Sequence, residues 1–270
     1  MAGQSIVRVG AVNYLNTKPL VYGLAERAPK VELAFDLPSR LADGLADGRF
    51  DVALIPSIEF FLGGDYTIVS DACIACRGPV LSVKLFSRVP IERIESLALD
   101  EGSRTSVALV QILLQRRFAL RPKLENLPIG ASLDDVTADA VLLIGDRAIH
   151  SPAGPWNEVW DLGDQWCRWA ELPFVFAMWV ARKDSDLDET AAALSAARDD
   201  GVAHLAEIAA HDSAPLGLTL PQCESYLRDN LHFYLGPRER EGLELFYRSA
   251  VELDLAPVGV DLGWTHCNLA

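Results

Sequence analysis

The chain has 270 residues, half of them apolar, with 38 acidic against 24 basic side chains and a formal net charge of −14. That size accommodates two modest lobes with a core each, and the apolar share excludes a disordered chain. The acidity argues against nucleic acid or an anionic membrane as partner, since both need a basic face, but helix N-termini and one arginine can still hold a small anion.

Met1 to Ser5 shows no basic segment followed by an apolar one, and no run of about 18 apolar residues occurs, so a soluble cytoplasmic protein is expected. The first strand starts almost at once, from Ile6 to Val12. It ends in Asn13-Tyr14-Leu15-Asn16-Thr17-Lys18-Pro19 and leads into a helix opening at Leu20 to Ala25. A strand that turns into a helix through polar residues gathers amides, hydroxyls and free N–H groups where α/β sheets bind ligands. Val31 to Phe35 reads as the next strand, followed by a helix from Pro38 through Leu45 with Ser39 as its cap and Gly48 closing it. Phe50 to Ile55 is a buried strand running into Pro56-Ser57-Ile58-Glu59, a second strand-to-helix junction. This alternation predicts a parallel, doubly wound sheet.

Two longer extended runs follow, Tyr66 to Ala75 and Val80 to Ser87; in the second, Ser82 and Lys84 share a face. A strand at Leu97 to Leu99 precedes the polar turn Asp100 to Ser106, which opens a helix over Val107 to Phe118 and puts three hydroxyl residues at its positive end. Leu124 to Pro128 and Ala140 to Ile144 read as strands, the latter running into Gly145-Asp146-Arg147. Pro173 to Ala181 is an apolar strand returning the chain to the first lobe. Helices are expected over Asp186 to His211, from a capping box at Thr219 and Gln222 to near Gly236, and over Glu239 to Leu253. The chain thus divides into one lobe of residues 1–88 plus 178–270 and another of 89–177, with a cleft between them.

No nucleotide, phosphate-loop, hydrolase-elbow or zincin motif occurs. The histidines, His150, His204, His211, His232 and His266, are scattered and read as surface or capping residues. Five cysteines make an odd count, and Cys73 and Cys76, three apart on a strand, point to opposite faces, so structural thiols are expected rather than a metal or redox pair. No metal or cofactor is implied. Singly, Asn13, Asn16, Ser57, Ser82, Ser103, Thr105 and Ser106 read as turn, cap or strand residues, and Glu59 and Asp146 as carboxylates stabilising helix starts. Jointly they lie at strand ends facing one crevice.

The segments Val9 to Leu20, Asp51 to Glu59, Val80 to Ser87, Asp100 to Ser106 and Gly145 to Ile149, with the aromatic stretch to Trp179, resemble the chorismate dehydratases of the futalosine route to menaquinone, along essentially the whole chain. The resemblance implies an α/β, two-lobed, type-2 periplasmic-binding-protein-like fold with the ligand between the lobes. It implies loss of water from the dianion chorismate to give 3-[(1-carboxyvinyl)oxy]benzoate, with no cofactor. On this reading Asn16 and Ser82 serve the reacting centre, while Asn13, Thr17, Ser57, Ser103, Thr105, Ser106, Gly145 and Asp146 bind substrate. The proton acceptor is the substrate's own enolpyruvyl carboxylate, with Glu59 or Asp146 the alternatives. The rival 1,4-dihydroxy-6-naphthoate synthase of the same pathway uses a histidine just after a strand like Val141 to Ile144, where this chain has Gly145-Asp146 and His150 only later. A non-catalytic solute-binding protein is the other alternative; the oligomeric state, a homodimer included, is left open.

Overall fold

The computed structural model describes residues 6–263 except 151, 184 and 186. The expectations for Met1 to Ser5, for His266 and for a helix start at Asp186 lie outside the described residues. Strand β1 (Val7–Val12) ends in a 3-10 turn, Leu15–Val21, and is followed by α1 (Leu24–Arg27), β2 (Val31–Asp36), α2 (Pro38–Ala46), β3 (Val52–Pro56), α3 (Ser57–Leu62) and β4 (Tyr66–Cys76). The chain continues through β5 (Val83–Ser87), β6 (Ser96–Asp100), α4 (Arg104–Phe118), β7 (Lys123–Leu127), β8 (Ala140–Ile144), α5 (Asp146–Ile149), β9 (Glu158–Asp161) and α6 (Leu162–Ala170). It closes with β10 (Phe174–Arg182), α7 (Asp188–Ala203), α8 (Leu205–Asp212), α9 (Leu220–Ser225), β11 (His232–Tyr234) and α10 (Pro237–Glu252).

Two sheets organise these elements. The first has the order β11-β4-β10-β3-β1-β2 and the second β7-β6-β8-β5-β9. β1 pairs in parallel with β2 and β3, and β6 with β7 and β8, as strand–helix–strand steps dictate. The long strand β10 enters antiparallel between β3 and β4, and β5 antiparallel between β8 and β9, so both sheets are mixed. β3 and β8 are buried at every residue, which explains their unbroken apolar sequence.

Sheet membership changes at other places than the sequence suggests. β5 belongs to the second sheet and all of β10 to the first, so the chain crosses at 77–82 and 171–173 rather than at 88/89 and 177/178. Each crossing holds a non-glycine residue in the left-handed region, Leu81 (φ 60°) and Glu171 (φ 55°). The Asp161 carboxylate, which caps α6, also accepts from the N–H groups of Val80 (2.9 Å) and Leu81 (2.6 Å) and so pins the first crossing. At the second, Trp166 of α6 packs edge-on against Phe174 (5.1 Å between centroids) and Phe246 of α10 (6.1 Å), joining the two lobes through one aromatic cluster.

Several local expectations change for identifiable reasons. Ser39 lies inside α2, whose cap is Leu37, because Pro38 already occupies the first turn. Ser82 precedes β5 instead of sharing a strand face with Lys84, since the left-handed Leu81 interrupts the extended run. The single helix expected to end at His211 breaks at His204, and the one expected to reach Gly236 gives way to a π-helical turn, Tyr226–Asn230, and to β11. The capping box at Thr219 and Gln222 is present. Cys73 and Cys76 are both fully buried in β4, and burial pushes both thiols up. Among the described residues no helix is long and apolar enough to cross a membrane.

Candidate active site

The ends of β1, β3, β6 and β8 converge on a cavity between the sheets, with about 560 Å³ of empty space including its mouth. Its walls are mostly apolar: Val12, Pro38, Pro56, Ile74, Val83, Ile144 and Phe176 among others. Its polar groups come from three places. Tyr14 and Asn16 follow β1, Ser82 ends the first crossing, and Ser103, Arg104, Thr105 and Ser106 form the start of α4. Of the sequence-derived residues, Asn16, Ser82, Ser103, Thr105, Ser106 and Gly145 therefore line one cavity.

The other four expected binders do not line it. Asn13 is exposed and its side-chain oxygen accepts from Lys18 Nζ (3.4 Å). Thr17 is buried and donates to Asn16 Oδ1 (3.3 Å), orienting that amide. Ser57 is fully buried and its hydroxyl donates to the Val175 carbonyl (2.8 Å), an internal bond that locks β10 to the start of α3. The Asp146 carboxylate accepts from Leu15 N–H (3.3 Å), tying α5 to the β1 turn; burial raises its pKa more than this bond lowers it.

The lobes touch across the cavity at further points. Thr105 Oγ1 accepts from Ile58 N–H (3.2 Å), and Arg104 of α4 pairs with Asp43 of α2 (2.8 Å) and Glu59 of α3 (3.1 Å). Burial pushes the Glu59 carboxyl up, against the pull of Arg104. Ser103 sits at the N-cap of α4 but its side chain makes no cap bond, so the first-turn N–H groups, which have no intrahelical acceptor, are not satisfied by that hydroxyl. With Arg104 beside them, these groups make the positive end of a cavity that suits a carboxylate. On the opposite side, Ser82 Oγ donates to the Val80 carbonyl at 3.4 Å, a long bond, and the Ser82 carbonyl accepts from Gly145 N–H (2.8 Å).

Among the described residues no histidine, aspartate or glutamate lines the cavity. His150 is exposed and bonds the Leu216 carbonyl (2.9 Å), and His204 stacks on Tyr22. Sequence reasoning missed Tyr14, whose half-buried phenol is pushed up to about 12, by burial first and by Asp100 next, so it stays protonated as a donor. It also missed Arg104, whose place within the polar turn was visible without its role, and the Asp100–Arg147 pair that braces the ends of β6 and α5.

A family model described as menaquinone biosynthesis matches residues 7–252. A chorismate dehydratase from Thermus thermophilus is 31% identical over 268 residues, covering 93% of this chain and 97% of that protein. Among solved structures, protein AF1704 from Archaeoglobus fulgidus matches with a TM-score of 0.76 at 18% identity, over 92% of this chain and 98% of that one. The alkanesulfonate-binding protein SsuA from Xanthomonas axonopodis pv. citri, bound to MOPS, matches at 0.61 and 13% identity, over 95% and 96%. At such identities these likenesses speak to the fold, which is the expected two-lobed, periplasmic-binding-protein-like one. The family match over nearly all of a chain whose cavity sits between two such lobes makes this protein a member of the menaquinone-biosynthesis family.

Proposed function

We propose that the protein dehydrates chorismate to 3-[(1-carboxyvinyl)oxy]benzoate in the cytoplasm, where a biosynthetic lyase meets its substrate. The reaction removes the ring C3 proton and the C4 hydroxyl; the diene carboxylate acidifies that proton and aromatisation drives the loss of water. It needs a dry pocket, fixed donors for two carboxylates and a donor for the departing hydroxyl. The observation that carries the reading is the convergence of Asn16, Ser82 and the uncapped start of α4 on one largely apolar cavity. In this assignment the N–H groups and hydroxyls of Ser103 to Ser106, with Arg104, take a substrate carboxylate. Asn16 and Ser82 hold the C4 hydroxyl as it leaves.

An amide and a neutral serine are not bases. Because the lining residues among those described include no histidine or carboxylate, the enolpyruvyl carboxylate of the substrate itself is assigned as the proton acceptor. Glu59 is engaged by Arg104 and Asp146 by Leu15 N–H. Incubating purified protein with chorismate and following the aromatic product by absorbance and chromatography tests the activity; a thermal shift without product points to a binder instead. Glu59→Gln and Asp146→Asn separate the two proton acceptors. Turnover within about tenfold of wild type fits the substrate carboxylate, and abolished turnover with substrate still bound assigns the base to the protein.

A further inference from the structure

Behind Asn16 and Ser82 lies a residue that belongs to neither sheet. Tyr226, 1% exposed, stands at the start of the π-helical turn after α9, more than 200 residues from Asn16 in sequence. Its hydroxyl is enclosed and, among the described residues, makes no hydrogen bond of proper geometry, a condition that costs free energy and that folded proteins rarely tolerate without a use. The side chains that interact with that oxygen are those of Ser82 and Asn16, both of which favour its ionised form; burial, the largest influence, and the Asp146 charge override them and keep the phenol protonated. Wide π-turns are themselves poor backbone geometry and recur at functional sites. This one is tied to the crossing that carries Ser82, because Asn230 Nδ2 donates to the Pro79 carbonyl (2.9 Å).

The arrangement is a chain of donors with one link open. Asn16 uses its oxygen to accept from Thr17 and has N–H groups to give; Ser82 Oγ spends its proton on a 3.4 Å contact and has lone pairs to fill. We propose that Tyr226 is a positioning residue for the dehydration, accepting from the Asn16 amide and donating to Ser82 Oγ when substrate is bound. Ser82 then turns its own proton from Val80 to the departing C4 hydroxyl, and each bond polarises the next. Tyr226 does not touch substrate, and no proton is lost from it; it aims the two residues that do. This rests on the dehydratase reading above and adds to it the residue that orders its reacting centre.

Tyr226→Phe removes one oxygen and keeps the ring. The expected result is a kcat lowered roughly 10- to 100-fold with KM within about threefold, since the lost bond matters when the hydroxyl departs rather than when substrate binds. The variant's unfolding temperature should not fall, because the deleted hydroxyl is unsatisfied in the fold. In the double variant with Ser82→Ala, kcat should match that of Ser82→Ala alone within about twofold, and p-aminophenylalanine at position 226, which still donates, should recover most of the loss. If Tyr226→Phe does not fold, 4-fluorophenylalanine at that position, close in shape and unable to donate, gives the same reading. Unchanged kcat, losses that multiply in the double variant, or a change in KM alone overturns the proposal. A wild-type protein with no action on chorismate strikes the dehydratase reading and this inference with it; an active wild type with an equally active Tyr226→Phe strikes the inference alone.

Discussion

Replacing Gly145 by alanine should damage stability and the site together, and the structure sets the scale. Gly145 follows β8 with φ 65° and ψ −154°, a region that only glycine enters freely. Forcing a side chain there costs on the order of 1–3 kcal/mol. An added Cβ would stand 2.9 Å from Cε2 and Cζ of the Tyr14 ring, closer than carbon atoms pack. Relieving that overlap costs about 1–3 kcal/mol more when the surroundings are tight, less the part both strains share. A net loss of about 2–4 kcal/mol, at roughly 2–4 °C per kcal/mol for a chain of this size, lowers Tm by about 5–15 °C. The ring can only swing into the cavity it lines, or the loop can back away and pull on Ser82, whose carbonyl accepts from Gly145 N–H. Either movement should lower kcat/KM about 100-fold at a temperature where the variant is still folded. Calorimetry and chorismate kinetics on the same preparation check both arms. A Tm within about 1 °C of wild type with unchanged kcat/KM would refute the claim that this glycine is held by geometry.

Arg104→Met removes the cation from the cavity wall and frees Asp43 and Glu59; KM for chorismate should rise about 10- to 100-fold, the worth of one charged hydrogen bond, measured by initial rates at low salt. Gly201→Ala puts a Cβ 2.0 Å from the Pro19 carbonyl oxygen, so α7 must move off the turn that carries Asn16; urea unfolding should show a loss of about 1–3 kcal/mol or more, and activity should fall with it. The Arg8 guanidinium, bonded to Asp51, holds that carboxyl below its ordinary value of 3.8. Its contribution is therefore complete above pH 3.8 and lost as pH falls through the lower folded value, so Asp51→Asn should destabilise at neutral pH and converge with wild type in acid.

The parts of the fold that could be read from the sequence are those with a local cause. β3 and β8 are short, wholly buried and β-branched or leucine-rich, and each runs into a polar residue that starts a helix, so composition alone marks them. The capping box at Thr219 is likewise a contract between two side chains three residues apart. The lobe boundaries were not legible, because β5 looks the same whichever sheet it joins; what assigns it is pairing with β8 and β9, partners about 60 and 75 residues further on. β11 spans three residues, too few for any period to register. The π-turn at Tyr226 was hidden inside what reads as continuous helix, since nothing local distinguishes a widened turn from an ordinary one.

The site divides along the same line, and the division explains which hydroxyls serve it. Sequence reads Ser57 as part of a strand-to-helix junction and Ser82 as one face of an extended run, and neither place by itself decides which hydroxyl meets a ligand. The fold spends Ser57 on the Val175 carbonyl at 2.8 Å and buries it completely, so using it for a ligand would cost a bond that joins β10 to α3. The Ser82 hydroxyl makes a long contact at 3.4 Å, faces the cavity and has behind it a phenol without a hydrogen bond of proper geometry among the described residues. A hydroxyl already paired in the protein gains nothing by meeting substrate, whereas one left with a weak bond gains most of a strong one. The exchange a ligand offers, and not residue type or place in the chain, therefore separates structural from reactive serines here. Ser57→Ala should act on stability and leave the kcat/KM of the folded protein near wild type, while Ser82→Ala should do the reverse; parallel Tm and turnover measurements on the two variants decide it, and equal losses of turnover would break the argument.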